Sequence, residues 1–150
     1  MKAVIDTNVV LDVLQRRADF FDDSYGVLRL VAEGEIDGWF PASCVADVFY
    51  LLRRSGLNPA QARTAVSALA QVVPLCDTTA AAVAAGLLLS MSDLEDAILA
   101  ATADHLGADL ILTRDRADFA GSPVPAITPH EFLRRRQAEP VVPEEDQAEL

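Results

Sequence analysis

Lysine is almost absent from this chain: Lys2 is the only one in 150 residues. That argues against the phosphotransfer receivers, acid-rich α/β domains that need a lysine beside their strand-end carboxylates. Cysteine is scarce too. Cys44 and Cys76 stand far apart, with no histidine or second cysteine near either at zinc-ligand spacing, so both read as small core residues. His105 and His130 are isolated, each near an expected helix end, and read as structural or surface residues. Long apolar runs are missing as well. The best candidate, Ala80 to Leu89, falls short of the roughly 18–20 residues that span a bilayer, and it is Ala-rich in the manner of a buried helix. The opening Met1-Lys2-Ala3-Val4-Ile5-Asp6 reaches an acid too soon for a secretory leader, so the expected location is the cytoplasm.

What is present is enough apolar material for one compact domain: hydrophobic residues make up 51% of the chain. The formal net charge of −11 argues against a polyanionic partner, but the charge is unevenly spread. Beyond Arg136 come Glu139, Glu144, Glu145, Asp146 and Glu149 with no base among them. The composition divides the chain into a folded domain, residues 1–137, and an acidic, Pro-rich flexible tail, residues 138–150. Arg16-Arg17, Arg53-Arg54 and Arg134-Arg135-Arg136 form local basic clusters, which either solvate helix ends or meet an anionic partner.

Strand and helix signals alternate. Val4-Ile5 is a continuous β-branched run of the kind buried on both faces, and Asp6-Thr7-Asn8 ends it before a helical stretch from Val9 to Gln15. A helix is expected from Asp22 to Glu33, closed by Gly34, then a strand from Ile36 to Phe40. Ser43 can cap a helix to Arg54, and Asn58-Pro59 opens another that carries Ala60 to Gln71. A short strand at Val72 to Leu75 and a helix from Thr78 or Thr79 to Leu89 follow. Ser92-Asp93-Leu94-Glu95 has capping-box spacing for a helix from Leu94 to Leu106. Leu110-Ile111-Leu112 and Ala126-Ile127 read as strands, and Thr128-Pro129-His130-Glu131 as the start of a helix to about Arg136. Such alternation indicates an α/β domain with a largely parallel sheet.

Acids concentrate where such sheets bind ligands. Asp6 directly follows one buried strand and Asp115 follows another closely; if the two strands are neighbours, both carboxylates share the crevice at the strands' carboxyl ends. Each has a structural alternative as a helix cap. Asp93, Glu95 and Asp96 crowd the first turn of one helix, where acids also oppose the helix dipole favourably. Ser92 with Glu95 accounts for the cap, which leaves Asp93 and Asp96 on one face ahead of the small residues Ala100 and Ala103. Asp47 shares a helix face with Tyr50 and Arg54, either as a solvated polar stripe with an Asp–Arg pair or as a fourth acid of the site.

At these segments the sequence resembles the PIN-domain family, which includes the VapC-type toxins of bacterial toxin–antitoxin pairs. Val4-Ile5-Asp6-Thr7-Asn8-Val9 is similar to the family's opening motif, and Glu95-Asp96-Ala97-Ile98-Leu99-Ala100-Ala101 to the helix that bears its third acid. Leu112-Thr113-Arg114-Asp115 with Asp118-Phe119 resembles the motif after its fourth strand, and Pro123 to Pro129 its closing strand and helix start. The likeness spans about Lys2 to Arg136. It departs at the second acid, usually Glu in the family, where the matching helix offers Asp47.

The resemblance implies a three-layer α/β/α fold with a mostly parallel central sheet of four to five strands. It also implies a metal-dependent endoribonuclease with Asp6, Asp47, Asp96 and Asp115 as catalytic acids. Asp6, Asp96, Asp115 and Asp93 would bind Mg²⁺ or Mn²⁺, as oxygen-only ligation favours. Thr7, Asn8 and Thr113 would brace the carboxylates, and Arg54 and Arg114 are candidate RNA contacts. The expected partners are an RNA substrate, an antitoxin protein and a second copy in a homodimer, with Phe20-Phe21 and Phe49 to Leu52 as segments able to supply such a surface. The alternative is a PIN-like RNA-binding or protein-interaction module without useful turnover.

Overall fold

The computed structural model describes residues 1–139. Apart from Ala138 and Glu139, the expected acidic tail lies outside the described residues. Five strands form one sheet: β1 (Lys2–Ile5), β2 (Asp37–Pro41), β3 (Leu75–Cys76), β4 (Leu110–Leu112) and β5 (Ala126–Ile127), in the spatial order β3-β2-β1-β4-β5. Every adjacent pair is parallel. Among the described residues, seven α-helices connect and cover them: α1 (Thr7–Leu14), α2 (Phe21–Ala32), α3 (Val45–Arg54), α4 (Pro59–Val72), α5 (Ala80–Gly86), α6 (Leu94–Leu106) and α7 (Pro129–Ala138). Short 3₁₀ turns lie at Ala42–Cys44 and Arg116–Phe119.

The strand order follows from where each crossover leads. From β1 the chain steps to β2 and then β3 on one side; it then returns to the other side of β1 to lay down β4 and β5. Right-handed crossovers put the outgoing helices α1 to α4 on one face and the returning pair α5 and α6 on the other. Packing agrees, since α2 meets α1, α4 and α7, while α5 packs on α6. This is a three-layer α/β/α arrangement with β1 at its centre. Ala3, Val4 and Ile5 are fully buried, as are Ile111 and Leu112 beside them, in accord with the unbroken apolar runs at both places.

Where the local signals are strong the elements fall as expected. Asn58 and Gln61 make a reciprocal capping box at α4, with Pro59 at its first position. Gly107, at φ 73°, closes α6 in the left-handed conformation. Four expectations need correction. Ser43 caps nothing; its hydroxyl pairs with that of Thr78, and a 3₁₀ turn leads into α3. Val72 ends α4, so the third strand is Leu75–Cys76, beyond Pro74. The Ala80–Leu89 helix stops at Gly86 and is only partly buried, with Leu87 and Leu88 exposed. At α6 the cap is Asp93, which accepts from the Asp96 N–H at 2.9 Å, and not Ser92. Among the described residues, no helix is long and apolar enough to cross a membrane.

Close packing of α2 on the sheet depends on Gly38, which sits beside Ala3 in the β1–β2 register. A Cβ there would lie 2.4 Å from Cγ2 of Val31. Gly38→Ala should therefore destabilise the domain by about 1–3 kcal/mol, the usual cost of overpacking. Urea denaturation measures this, and an unchanged midpoint would show that α2 can shift freely.

Candidate active site

β1 and β4 lie side by side with Ile5 opposite Leu112, so the next register pair is Asp6 and Thr113. The Asp6 N–H extends the ladder to the Leu112 carbonyl at 2.9 Å, and the Thr113 N–H reaches the Ile127 carbonyl at 3.1 Å. β1 leads away to β2 and β4 to β5 in opposite directions, so the carboxyl ends of β1 and β4 flank the switch point of the sheet. The two strands are neighbours, as the shared-crevice reading required.

The Thr113 side chain is fully buried and joins the strand ends. Its hydroxyl donates to Oδ2 of Asp6 at 2.8 Å. It accepts from Nδ2 of Asn8 at 3.3 Å and from the Asp115 N–H at 3.1 Å. Asn8 also donates to Oδ2 of Asp115 at 3.1 Å, and its carbonyl oxygen accepts from the Arg114 N–H at 3.2 Å. Thr7 contributes through its backbone N–H, 2.7 Å from Oδ1 of Asp6. Asp6, Thr7, Asn8, Thr113 and Asp115 thus form one hydrogen-bonded unit.

α6 brings further acids. Burial, and then the charges of Asp6, Asp93, Asp118 and Glu95, push the Asp96 carboxyl up to about 7. Burial also raises Asp6, against the lowering effect of its bonds to Thr113 and Thr7, and the charge of Asp115 raises it further. Glu95 is raised by burial and then by the adjacent Asp47 carboxylate. Asp47 itself, on the first turn of α3, is exposed and meets the cluster through Glu95. Glu95 and Asp118 are the acids that the sequence reading left out of the site. Capping-box spacing assigned Glu95 to a cap, but with Asp93 in that role its carboxylate is free to face Asp47.

Of the two arginines expected as candidate RNA contacts, one is exposed and the other is turned inward. Arg54 is exposed at the far end of α3, and no ion pair with Asp47 forms among the described residues. The Arg114 backbone belongs to the site, but its guanidinium turns inward. Its Nε is 2.9 Å from Oδ2 of Asp12, a fully buried residue of α1, and the guanidinium carbon lies 4.1 Å above the centre of the Phe20 ring. Asp12 also accepts from the Ser24 hydroxyl at 2.8 Å and has Arg17 at 3.6 Å.

This is a parallel α/β domain whose acids converge at the switch point of the sheet, and the comparisons give it a family. A PIN-domain profile matches residues 2–117, and the chain belongs to the PIN-domain family. Solved structures of similar fold include VapBC2 from Rickettsia felis bound to a DNA fragment from its promoter (16% identity, TM-score 0.68, covering 85% of this chain and 98% of that one). DNA-bound VapBC from Salmonella typhimurium is similar at 13% identity and TM-score 0.69, over 86% of this chain and 98% of that one. FitAcB from Neisseria gonorrhoeae is similar at 20% identity and TM-score 0.64, over 85% and 98%. No curated protein sequence matches the chain.

Two measurements test the electrostatics. Arg114→Ala leaves the buried Asp12 with only Ser24 and the more distant Arg17, so it should cost about 1–3 kcal/mol in urea denaturation. An unchanged stability would show that Asp12 does not depend on Arg114. For Asp96 the sign runs opposite to that of a salt-bridged acid. Its folded value of about 7 lies above its ordinary 3.8, so the stabilisation is complete below about pH 3.8 and lost as pH rises through about 7. In chelator, Asp96→Asn should gain stability on the wild type across that window and hold a constant lead above it. Parallel curves would mean that Asp96 titrates normally.

Proposed function

We propose that this protein is a Mg²⁺- or Mn²⁺-dependent endoribonuclease, the toxin of a type II toxin–antitoxin pair, acting in the cytoplasm. The observation that carries the reading is the convergence of Asp6, Asp96 and Asp115 at the carboxyl ends of β1 and β4, with Asp96 pushed up to about 7. So many carboxylates at one place repel one another, and a cation relieves that cost.

The donor set fits a hard cation. The acids offer only oxygen, and the one thiol beside them, Cys44, is pushed up to about 11 by burial, so it stays protonated and is no thiolate ligand. Among the described residues, no three His, Cys, Asp or Glu side chains are drawn together into a ready cage. Mg²⁺ does not require one: it keeps several waters and commonly takes one or two carboxylates plus substrate phosphate. Asp6, Asp96, Asp115 and Asp93 would hold it, directly or through water. When bound, such an ion neutralises charge on the phosphodiester and lowers the pKa of its water ligands. Thr113 and Asn8 keep the Asp6 and Asp115 carboxylates aimed at the crevice, and Asp47 with Glu95 orients the attacking water. The similar VapBC and toxin–antitoxin structures support an antitoxin as partner. A homodimer is proposed on the exposed Phe20, Tyr50 and Leu51.

A second reading, a PIN-like module without useful turnover, draws on one feature: Asp47, the shorter acid where the family usually has Glu, is exposed. A gel assay with Mn²⁺ and a mixed RNA separates the two. Under the nuclease reading the wild type cuts, and Asp47→Asn loses about 10²-fold, the scale of one acid/base group. Asp47→Glu keeps or raises the activity. Cutting by Asp47→Glu alone would favour the inactive module, and equal cutting by all three proteins would remove Asp47 from the mechanism. Asp6→Asn should abolish most of the rise in melting temperature on adding Mn²⁺, because the ion binds the native state only.

A further inference from the structure

Next to the acid cluster, between the turn after β2 and the helices α5 and α6, lies a cavity of about 320 Å³. Ser43 and Thr78 stand on its wall with their hydroxyls 2.8 Å apart, either able to be the donor. Val83 from α5 and Ile98 from α6 supply apolar lining. Asp47 and Glu95 also line it, and these are the two residues through which α3 joins the acid cluster. The cavity therefore shares Asp47 and Glu95 with the site proposed above.

Its chemistry selects against a phosphate and for a flat neutral ring. No arginine, lysine or histidine lines it, and two carboxylates do, so an anion would be repelled. Apolar side chains favour a planar, poorly hydrated ring, while the hydroxyl pair offers a donor and an acceptor to a base edge. A base still paired in a duplex cannot present that edge. We propose that this cavity seats one unpaired nucleobase of an RNA strand whose neighbouring phosphodiester lies at the acid cluster. The proposal rests on the nuclease reading for the placement of the phosphodiester, and not for occupancy of the cavity.

The test is methyl NMR of the full chain with Mg²⁺, titrated with an RNA trinucleotide and with the same trinucleotide lacking its central base. Both oligonucleotides are also followed on a gel for cleavage. The expected result is a shift of the Val83 and Ile98 methyl resonances with the intact trinucleotide, and binding about tenfold weaker without the base. Ser43→Ala combined with Thr78→Val should weaken intact-strand binding by about tenfold and leave the abasic strand unaffected. The proposal is overturned if the abasic strand binds as well as the intact one. It is equally overturned if resonances near Asp6 move while those of Val83 and Ile98 do not, or if neither oligonucleotide binds at millimolar concentration. Methyl shifts without any cleavage would sustain the base site and sink the nuclease reading, so the two can fail separately.

Discussion

The Thr113 hydroxyl sets the terms for the rest of the site. A hydroxyl offers one proton and two lone pairs, and here all three are used, toward Asp6, Asn8 and the Asp115 N–H. The proton goes to Asp6, which ties the ends of β1 and β4 together at the point where the sheet reverses direction. Strand pairing alone would bring Asp6 and Thr113 opposite each other, since Ile5 and Leu112 are in register. The hydroxyl converts that proximity into a fixed carboxylate orientation. An apolar replacement of the same shape would leave Oδ2 of a buried acid without its donor, a loss of about 1–3 kcal/mol or more for a charged group.

A second consequence of the same loop is the separation of charge. Thr113, Arg114 and Asp115 are consecutive, yet the middle side chain is directed away from the other two. Arg114 pairs with Asp12 and lies over Phe20, so its guanidinium serves the core and not the crevice. Its charge still lowers Asp6 slightly, last in order among the influences on that group. The crevice is left with a surplus of negative charge, a condition that a cation would relieve.

Much of this was legible in the residues, and the reasons divide by range. Asp6 follows a buried apolar run directly and Asp115 follows another after Thr113 and Arg114, so their place near strand ends is a local fact that periodicity captures. Asn58-Pro59 and Gly107 mark helix ends through chemistry confined to a few residues. The misreading at α6 was also local but degenerate. Ser92 with Glu95 and Asp93 with Asp96 both have the three-residue spacing of a cap, and only the observed backbone decides that Asp93 accepts from Asp96. That single choice hid Glu95. The fate of Arg114 was beyond any local signal, because its partner Asp12 lies in α1, about a hundred positions earlier in the sequence. Buried ion pairs across the chain leave no periodicity to read.

The arrangement fits a compromise between stability and function. Asp96 is held where burial and four like charges oppose its ionisation, and Asp6 and Glu95 are raised in the same direction. A domain can carry such a defect only if the elements that bear it cannot relax away. Here α6 is fixed by small residues, with Ala100 and Ala103 fully buried and Ala97, Ala101 and Thr102 nearly so. Small side chains allow the helix to approach its neighbours closely, and a close-packed interior resists the sub-ångström shifts that would spread the charges apart. β1 is buried on both faces and pinned by partners on both edges. The repulsion is therefore stored and not relieved by movement. Protonation or a bound cation would discharge it, and of these only a cation would leave the carboxylates ionised.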